Sequence, residues 1–366
     1  MARRLLLLSG VAILSVILFH GAGWGLTGLL AWSPRVVAGG IGLAEARGTP
    51  AYLVFRLLEQ AAVFAVPAFL FVSGFFVVFA TPKAGSAPAW NVILKRVSWL
   101  LIPYLLWSLI VWLGMWLQGI RFSLAQYAAL LLTGATTPAY YYVPLLVQLY
   151  LLSPFLVRWA KAGWWSLLTC GALVQVTVSL APLAVLSPAA NVLTVVGRFP
   201  KWVFLPHIFW FVLGILVSLH LPRLREPLAR WRYGFLTAAG GLLVVGVLEW
   251  EWILNVAGGW VDHRMTLVDS LYALALLLAF VGLAEAGLGR RPSLETIGAQ
   301  SYGIYLAHPP VMDAFARGIY HFAAPLLALP LLFSALVMGV GLGIPLALMA
   351  IVRRTPLRAA YRFLFG

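Results

Sequence analysis

Residues 3–30 read RRLLLLSGVAILSVILFHGAGWGLTGLL. Two arginines precede a run from Leu5 to Leu30 in which His20 is the single ionisable side chain. A helix rises about 1.5 Å per residue, so about 20 apolar residues cross a hydrocarbon core about 30 Å thick. This run is long enough to do so. It lacks a clear small-residue cleavage site and is read as a retained span, not as a cleaved signal peptide. The same pattern recurs along the chain. Counting the first run as 5–30, further apolar stretches lie near 59–80, 97–117, 140–157, 164–186, 203–219, 233–254, 267–284, 297–316 and 325–352. None shows the period-two alternation of a membrane barrel strand. The expected fold is therefore an all-α, polytopic membrane helical bundle of about ten transmembrane helices, forming a single domain over 1–366 with no soluble domain.

Composition agrees with this expectation. Hydrophobic residues make up 63% of the 366 and charged residues only 10%, against about 25% charged in a soluble domain. The bilayer is the solvent such a chain requires. Sixteen Trp, many near the ends of apolar stretches, suit interfacial anchoring. The net charge of +15 does not point to nucleic acid, because the basic residues form short clusters between apolar stretches instead of one continuous face. With the N-terminus inside, Arg35, Arg47, Arg56, Arg121, Arg198, Lys201, Arg264 and Arg317 fall outside, and the other 17 of the 25 Lys and Arg, Lys83 and Arg290 among them, fall inside. Rich and poor loops alternate throughout, so both termini are expected in the cytoplasm and the chain in the cytoplasmic (inner) membrane. Cys170 is the one cysteine, which excludes an intramolecular disulfide and a cysteine zinc site; no metal is expected. Residues 123–133 are apolar but too short to span, and are expected to lie on the outer surface or to re-enter.

Ionisable residues inside spans are costly and mark candidate sites. His20 lies sixteen residues beyond Arg4, roughly 24 Å along its span, in the outer half. Glu59 opens the second span beside Arg56. Glu249 and Glu251 lie near the outer end of the seventh span and Asp269 near that of the eighth. These carboxylates share the level of His20. Two readings stand open: wetted interfacial residues, or a cluster in which a carboxylate orients His20 as a general base. Glu249 and Glu251 are two apart on one helix, so at most one is expected to face the bundle. Lys95 and Arg96, at the inner end of the third span, suit either topology or the phosphates of an acyl carrier. Ser73-Gly74 permits close helix approach or an opened backbone. Ser301, Tyr305 and His308 fall near one helical face, and Pro309-Pro310 is expected to break or kink the helix just after His308.

Together these residues resemble the acyltransferase-3 family of integral membrane acyltransferases. The resemblance runs through 10–20 (GVAILSVILFH), 66–75 (VPAFLFVSGF), Lys95-Arg96 with 101–108 (LIPYLLWS), 141–154 (YYVPLLVQLYLLSP) and 301–309 (SYGIYLAHP). It is nearest to members that modify surface polysaccharides. The resemblance implies transfer of an acyl group, most often acetyl, from cytoplasmic acyl-CoA to a hydroxyl of an extracytoplasmic glycan. His20 would act as catalytic base or acyl carrier, with Glu59, Glu249 or Asp269 as its acidic partner. Lys95 and Arg96 would hold the donor head, and Ser73, Tyr305 and His308 would line the path of its acyl arm. The chain departs from the family at Ser9, where an arginine usually stands eleven residues before the histidine; Arg3 and Arg4, one to two turns earlier, do not replace it. Two rival readings are a transporter or flippase for a glycan or small solute, and a membrane subunit with a dead site.

Overall fold

The structure is a computed structural model, and it describes residues 2–79, 81, 87–186, 196–260, 265–285 and 291–366. Lys83, Arg264 and Arg290 of the charge count lie outside the described residues. Among those residues the fold is all helical, with short 3-10 turns and no strand. The helices are α1 (Ala2–Leu29), α2 (Leu43–Arg47), α3 (Pro50–Ala62), α4 (Ala65–Phe79), α5 (Trp90–Leu117), α6 (Leu124–Thr133), α7 (Tyr142–Ser179), α8 (Ile208–Ala257), α9 (Leu267–Glu285), α10 (Pro292–Ala299), α11 (Ser301–Phe322), α12 (Pro330–Arg354) and α13 (Tyr361–Phe365).

Seven helical segments among the described residues are long and apolar enough to cross a membrane: 3–29, 50–79, 90–117, 142–183, 205–257, 267–284 and 330–354. The chain is a multi-pass membrane protein. Two of these segments each cover two of the expected stretches, and α11, which carries a polar face, is not among the seven. α7 joins 140–157 to 164–186 through a bend at Gly163, whose φ of −161° and ψ of 74° are not helical. α8 has 50 residues, about 75 Å of helix, more than twice the hydrocarbon thickness. Its middle holds Arg223, Arg225, Arg230 and Arg232 together with Pro222 and Pro227, so α8 is two apolar lengths joined by a charged helical segment that has no place in lipid. The second span also begins earlier than the apolar run suggests. Thr49 caps α3 by accepting from the Tyr52 amide at 3.2 Å, and Pro50 supplies the fixed φ of a first turn. A turn at 63–64 then hands the chain to α4.

α6 has the expected length and buries no residue. Ser123 and Gln126 form a capping box at its start, and Gly134, with a φ of 70°, ends it in the left-handed conformation. A side chain at Gly134 would run into the backbone of Tyr140 and Tyr141. This close turn sets the tyrosine run 140–142 at the head of α7.

α1 lies at the centre of the bundle, against α3, α4, α10, α11 and α12. Small residues let the backbones meet, as expected for helices that lack a hydrophobic drive in lipid. Gly10 of α1 meets the Leu294 carbonyl, and Gly298 of α10 meets that of Leu6. The Ser73-Gly74 pair marks a second such crossing: Gly74 abuts the Phe211 carbonyl and Gly214 abuts that of Phe71. Gly214→Val should force α4 and α8 apart and cost about 1–3 kcal/mol, as overpacking does. Gly240→Ala, where a Cβ would meet nothing within 4 Å, is the control. Thermal unfolding in detergent checks this; equal melting temperatures for Gly214→Val and wild type would show that the crossing is not tight.

Candidate active site

A cavity of about 370 Å³ opens among α1, the α3–α4 junction, the head of α7, the segment 196–207 and α11. His20 reaches it from α1, Phe69 from α4, Tyr142 from α7, Lys201 and His207 from the segment before α8, and Tyr305 from α11. Most of the remaining wall is apolar, and among the described residues no Asp or Glu lines it. A few converging polar groups in an apolar hollow are the usual form of a small-molecule site.

The late motif is built around its prolines. α11 does not break after His308 but continues through Pro309 and Pro310 to Phe322, which corrects the expected break. Proline lacks an N–H, so Pro309 and Pro310 leave the carbonyls of Tyr305 and Leu306, four residues back, without their helical donors. Tyr140 donates its hydroxyl to the Leu306 carbonyl at 2.6 Å, and the rings of Tyr305 and His308 lie 6.1 Å apart. A side chain thus replaces the amide missing at Leu306, and the helix persists. Nδ1 of His308 stands 3.1 Å from the Ile304 carbonyl. A carbonyl only accepts, so Nδ1 carries the proton and Nε2 the lone pair. His308 is fully buried, and its Nε2 has no hydrogen-bond partner among the described residues. The rings of His20 and His308 lie 5.2 Å apart at 45°. Tyr305 donates its hydroxyl to the Ala139 carbonyl and stands at the cavity wall, whereas His308 sits behind it, outside the lining. Ser301 is only half-buried.

The carboxylates form networks of their own. Glu59 pairs with Arg56, both buried. Arg56 Nε reaches Glu251 at 3.2 Å, Tyr52 donates its hydroxyl to Glu251 at 2.7 Å, and Arg47 pairs with Glu251 at 3.2 Å. Glu249 accepts from the Thr266 hydroxyl. Asp269 accepts from Gln60 Nε2 at 2.8 Å and from the Thr266 amide at 3.0 Å. Glu249 and Glu251 do take opposite sides of α8, yet both engage a neighbour, at the start of α9 and at α3 respectively. The expectation that at most one faces the bundle is corrected. The bonds made by Glu59 and Glu249 do not extend to His20, whose ring neighbours are Phe19 and His308 and which has Lys201 as a nearby charge.

Arg96 donates to the Phe76 carbonyl at 3.2 Å and lies over the Tyr150 ring at 5.8 Å. Phe76 is seven residues beyond the cavity residue Phe69 on α4, and Tyr150 is eight beyond Tyr142 on α7. Arg96 therefore lies about 10–12 Å from the cavity along both walls, with Ser73 between, beside the Tyr142 hydroxyl. Lys95 is exposed and lies over the Trp99 ring at 5.3 Å. Ser9 bonds back to the Leu5 carbonyl at 3.1 Å and is buried. The sequence reading passed over Lys201 and His207. The available signal was a cation and a histidine among prolines (Pro200, Pro206) in a segment assigned outside, where positive charge is sparse. It also passed over Tyr140, although a run of three tyrosines ahead of Pro144 was visible.

A family model described as an acyltransferase domain matches residues 5–350 of the chain. No curated protein and no solved structure matches it. Tyr140→Phe should leave the Leu306 carbonyl buried without a donor, at a cost of about 1–3 kcal/mol. Thermal unfolding in detergent reads this loss; an unchanged melting temperature would mean that the proline carbonyls find another donor.

Proposed function

The chain belongs to the acyltransferase-3 family of integral membrane acyltransferases, and from that premise we propose that it moves an acyl group, acetyl first among the candidates, from cytoplasmic acyl-CoA to a hydroxyl of an extracytoplasmic glycan. The observation that carries the reading is the alignment of Arg96, Ser73 and the His20 cavity along the shared walls of α4 and α7. A charged head held near Arg96 and Lys95 leaves about 10–12 Å of helix to the cavity, a distance that a flexible acyl arm spans. Ser73 and Tyr305 flank that path. Both termini inside and a cytoplasmic-membrane location follow from the alternation of charged loops.

In this reading His20 is the base. One imidazole nitrogen takes the proton of the acceptor hydroxyl as its oxygen attacks the thioester carbonyl. The carbon–sulfur bond then breaks, and the imidazolium returns the proton to the departing thiolate. The apolar wall limits water, the competing nucleophile, and strengthens each electrostatic contact inside.

Binding is the first test. Protein in nanodiscs titrated with acetyl-CoA by calorimetry should show saturable binding, weakened about tenfold or more by Arg96→Ala, which removes one charge-assisted contact. If the folded protein binds neither acetyl-CoA, succinyl-CoA nor free CoA, the reading passes to translocation of a glycan or solute. His20→Ala should keep donor binding and lower transfer by about 10²–10⁴-fold, the usual contribution of a positioned base. Full activity in that variant would remove His20 from the mechanism.

A further inference from the structure

We infer that His308 is the positioning partner of His20, fulfilling the role that a carboxylate usually fills beside a histidine base; the catalytic half of this inference rests on the acyltransfer reading above. A histidine works as a base when one nitrogen presents its lone pair to the substrate and the other donates its N–H to a fixed acceptor. Among the described residues the cavity lining supplies no carboxylate acceptor, and Glu59, Glu249 and Asp269 bond to Arg56, Thr266 and Gln60. His308 supplies the missing group. The Ile304 carbonyl holds its Nδ1 as donor, which leaves Nε2 as an acceptor, fully buried and without a partner among the described residues.

The ring separation of 5.2 Å is short enough that rotation of the His20 side chain closes an N–H···N bond with neither helix moving. The helix that carries His308 is itself fixed by the donation of Tyr140 to Leu306, so the acceptor is held before any ligand arrives. His308 gains and loses no proton in the step. The acceptor hydroxyl loses its proton to the cavity-facing nitrogen of His20, the new carbon–oxygen bond forms, sulfur departs with the electron pair, and His20 gives the proton to sulfur. Throughout, His308 holds the other nitrogen of His20. Because the partner is neutral, the pair carries a net positive charge at the moment when the carbonyl oxygen becomes negative, and the two charges attract across the cavity.

The test has two independent arms. Histidine-selective ¹⁵N NMR of the full chain in nanodiscs, with His20→Gln to assign the signal, should show His20 in one tautomer; an even mixture in the wild type overturns the pairing whatever the catalytic activity. For the second arm, release of CoA thiol from acetyl-CoA is followed with methyl glucoside as the acceptor probe and with water alone. His308→Leu should lower kcat roughly 100-fold, the lower end of what a positioned base contributes. It should leave the calorimetric affinity for acetyl-CoA within twofold and the His20 signal as a mixture of tautomers. His308→Gln, whose amide oxygen stands near the place of Nε2, should recover kcat to within about tenfold of wild type. A kcat in His308→Leu within twofold of wild type overturns the inference, as does a His308→Gln variant as impaired as His308→Leu. Absence of acetyl-CoA binding in the wild type defeats the acyltransfer reading alone, since the tautomer of His20 still decides the pairing.

Discussion

Two carbonyl oxygens on α11, those of Tyr305 and Leu306, have no amide to bond because Pro309 and Pro310 follow them. Lipid offers no replacement, so protein must. For Leu306 the replacement comes from the head of α7, where Tyr140 donates its hydroxyl. One backbone deficit thereby ties the head of α7 to α11. The short turn at Gly134 serves the same end, because it brings the tyrosine run to the place where the donor is required.

Charge is sorted within the bundle. Glu59, Glu249, Glu251 and Asp269 are held among α3, α8 and the start of α9 by Arg56, Arg47, Tyr52, Thr266 and Gln60, while the described residues that line the cavity include one lysine, two histidines and no carboxylate. The acidic network braces helices, since each of its bonds crosses between elements or closes a turn.

The all-helical fold was legible from the apolar stretches because lipid admits few alternatives, and the close approach at Ser73-Gly74 was legible from the small residues. The continuity of α11 was not. Proline breaks a helix unless a donor arrives from elsewhere, and Tyr140 is 166 residues away in sequence. The partners of the carboxylates were hidden for the same reason. Glu59, Glu249 and Asp269 share a depth with His20, but depth does not tell which way a helix is turned. The early start of α3 was signalled by Thr49-Pro50, a cap and first-turn pair that an apolar count passes over. The merger of two expected spans in α8 follows from Arg223 to Arg232 being good helix formers as well as charged, so the helix runs on where hydropathy stops.

The crossing of α4 and α8 at Gly74 and Gly214 has a mechanical meaning. Where backbone meets backbone with no side chain between, little soft material remains to be compressed or sheared. Such a contact resists sliding along either axis, because the next residue in each direction carries a Cβ. It resists rotation about the point of contact far less. The crossing is a pivot, and the wall of the cavity that bears Phe69 is a short lever arm beside it. Any widening of the cavity for a bulkier occupant is therefore cheapest as a tilt of α4 about Gly74. A tilt of that kind opens one end of the wall while it closes the other.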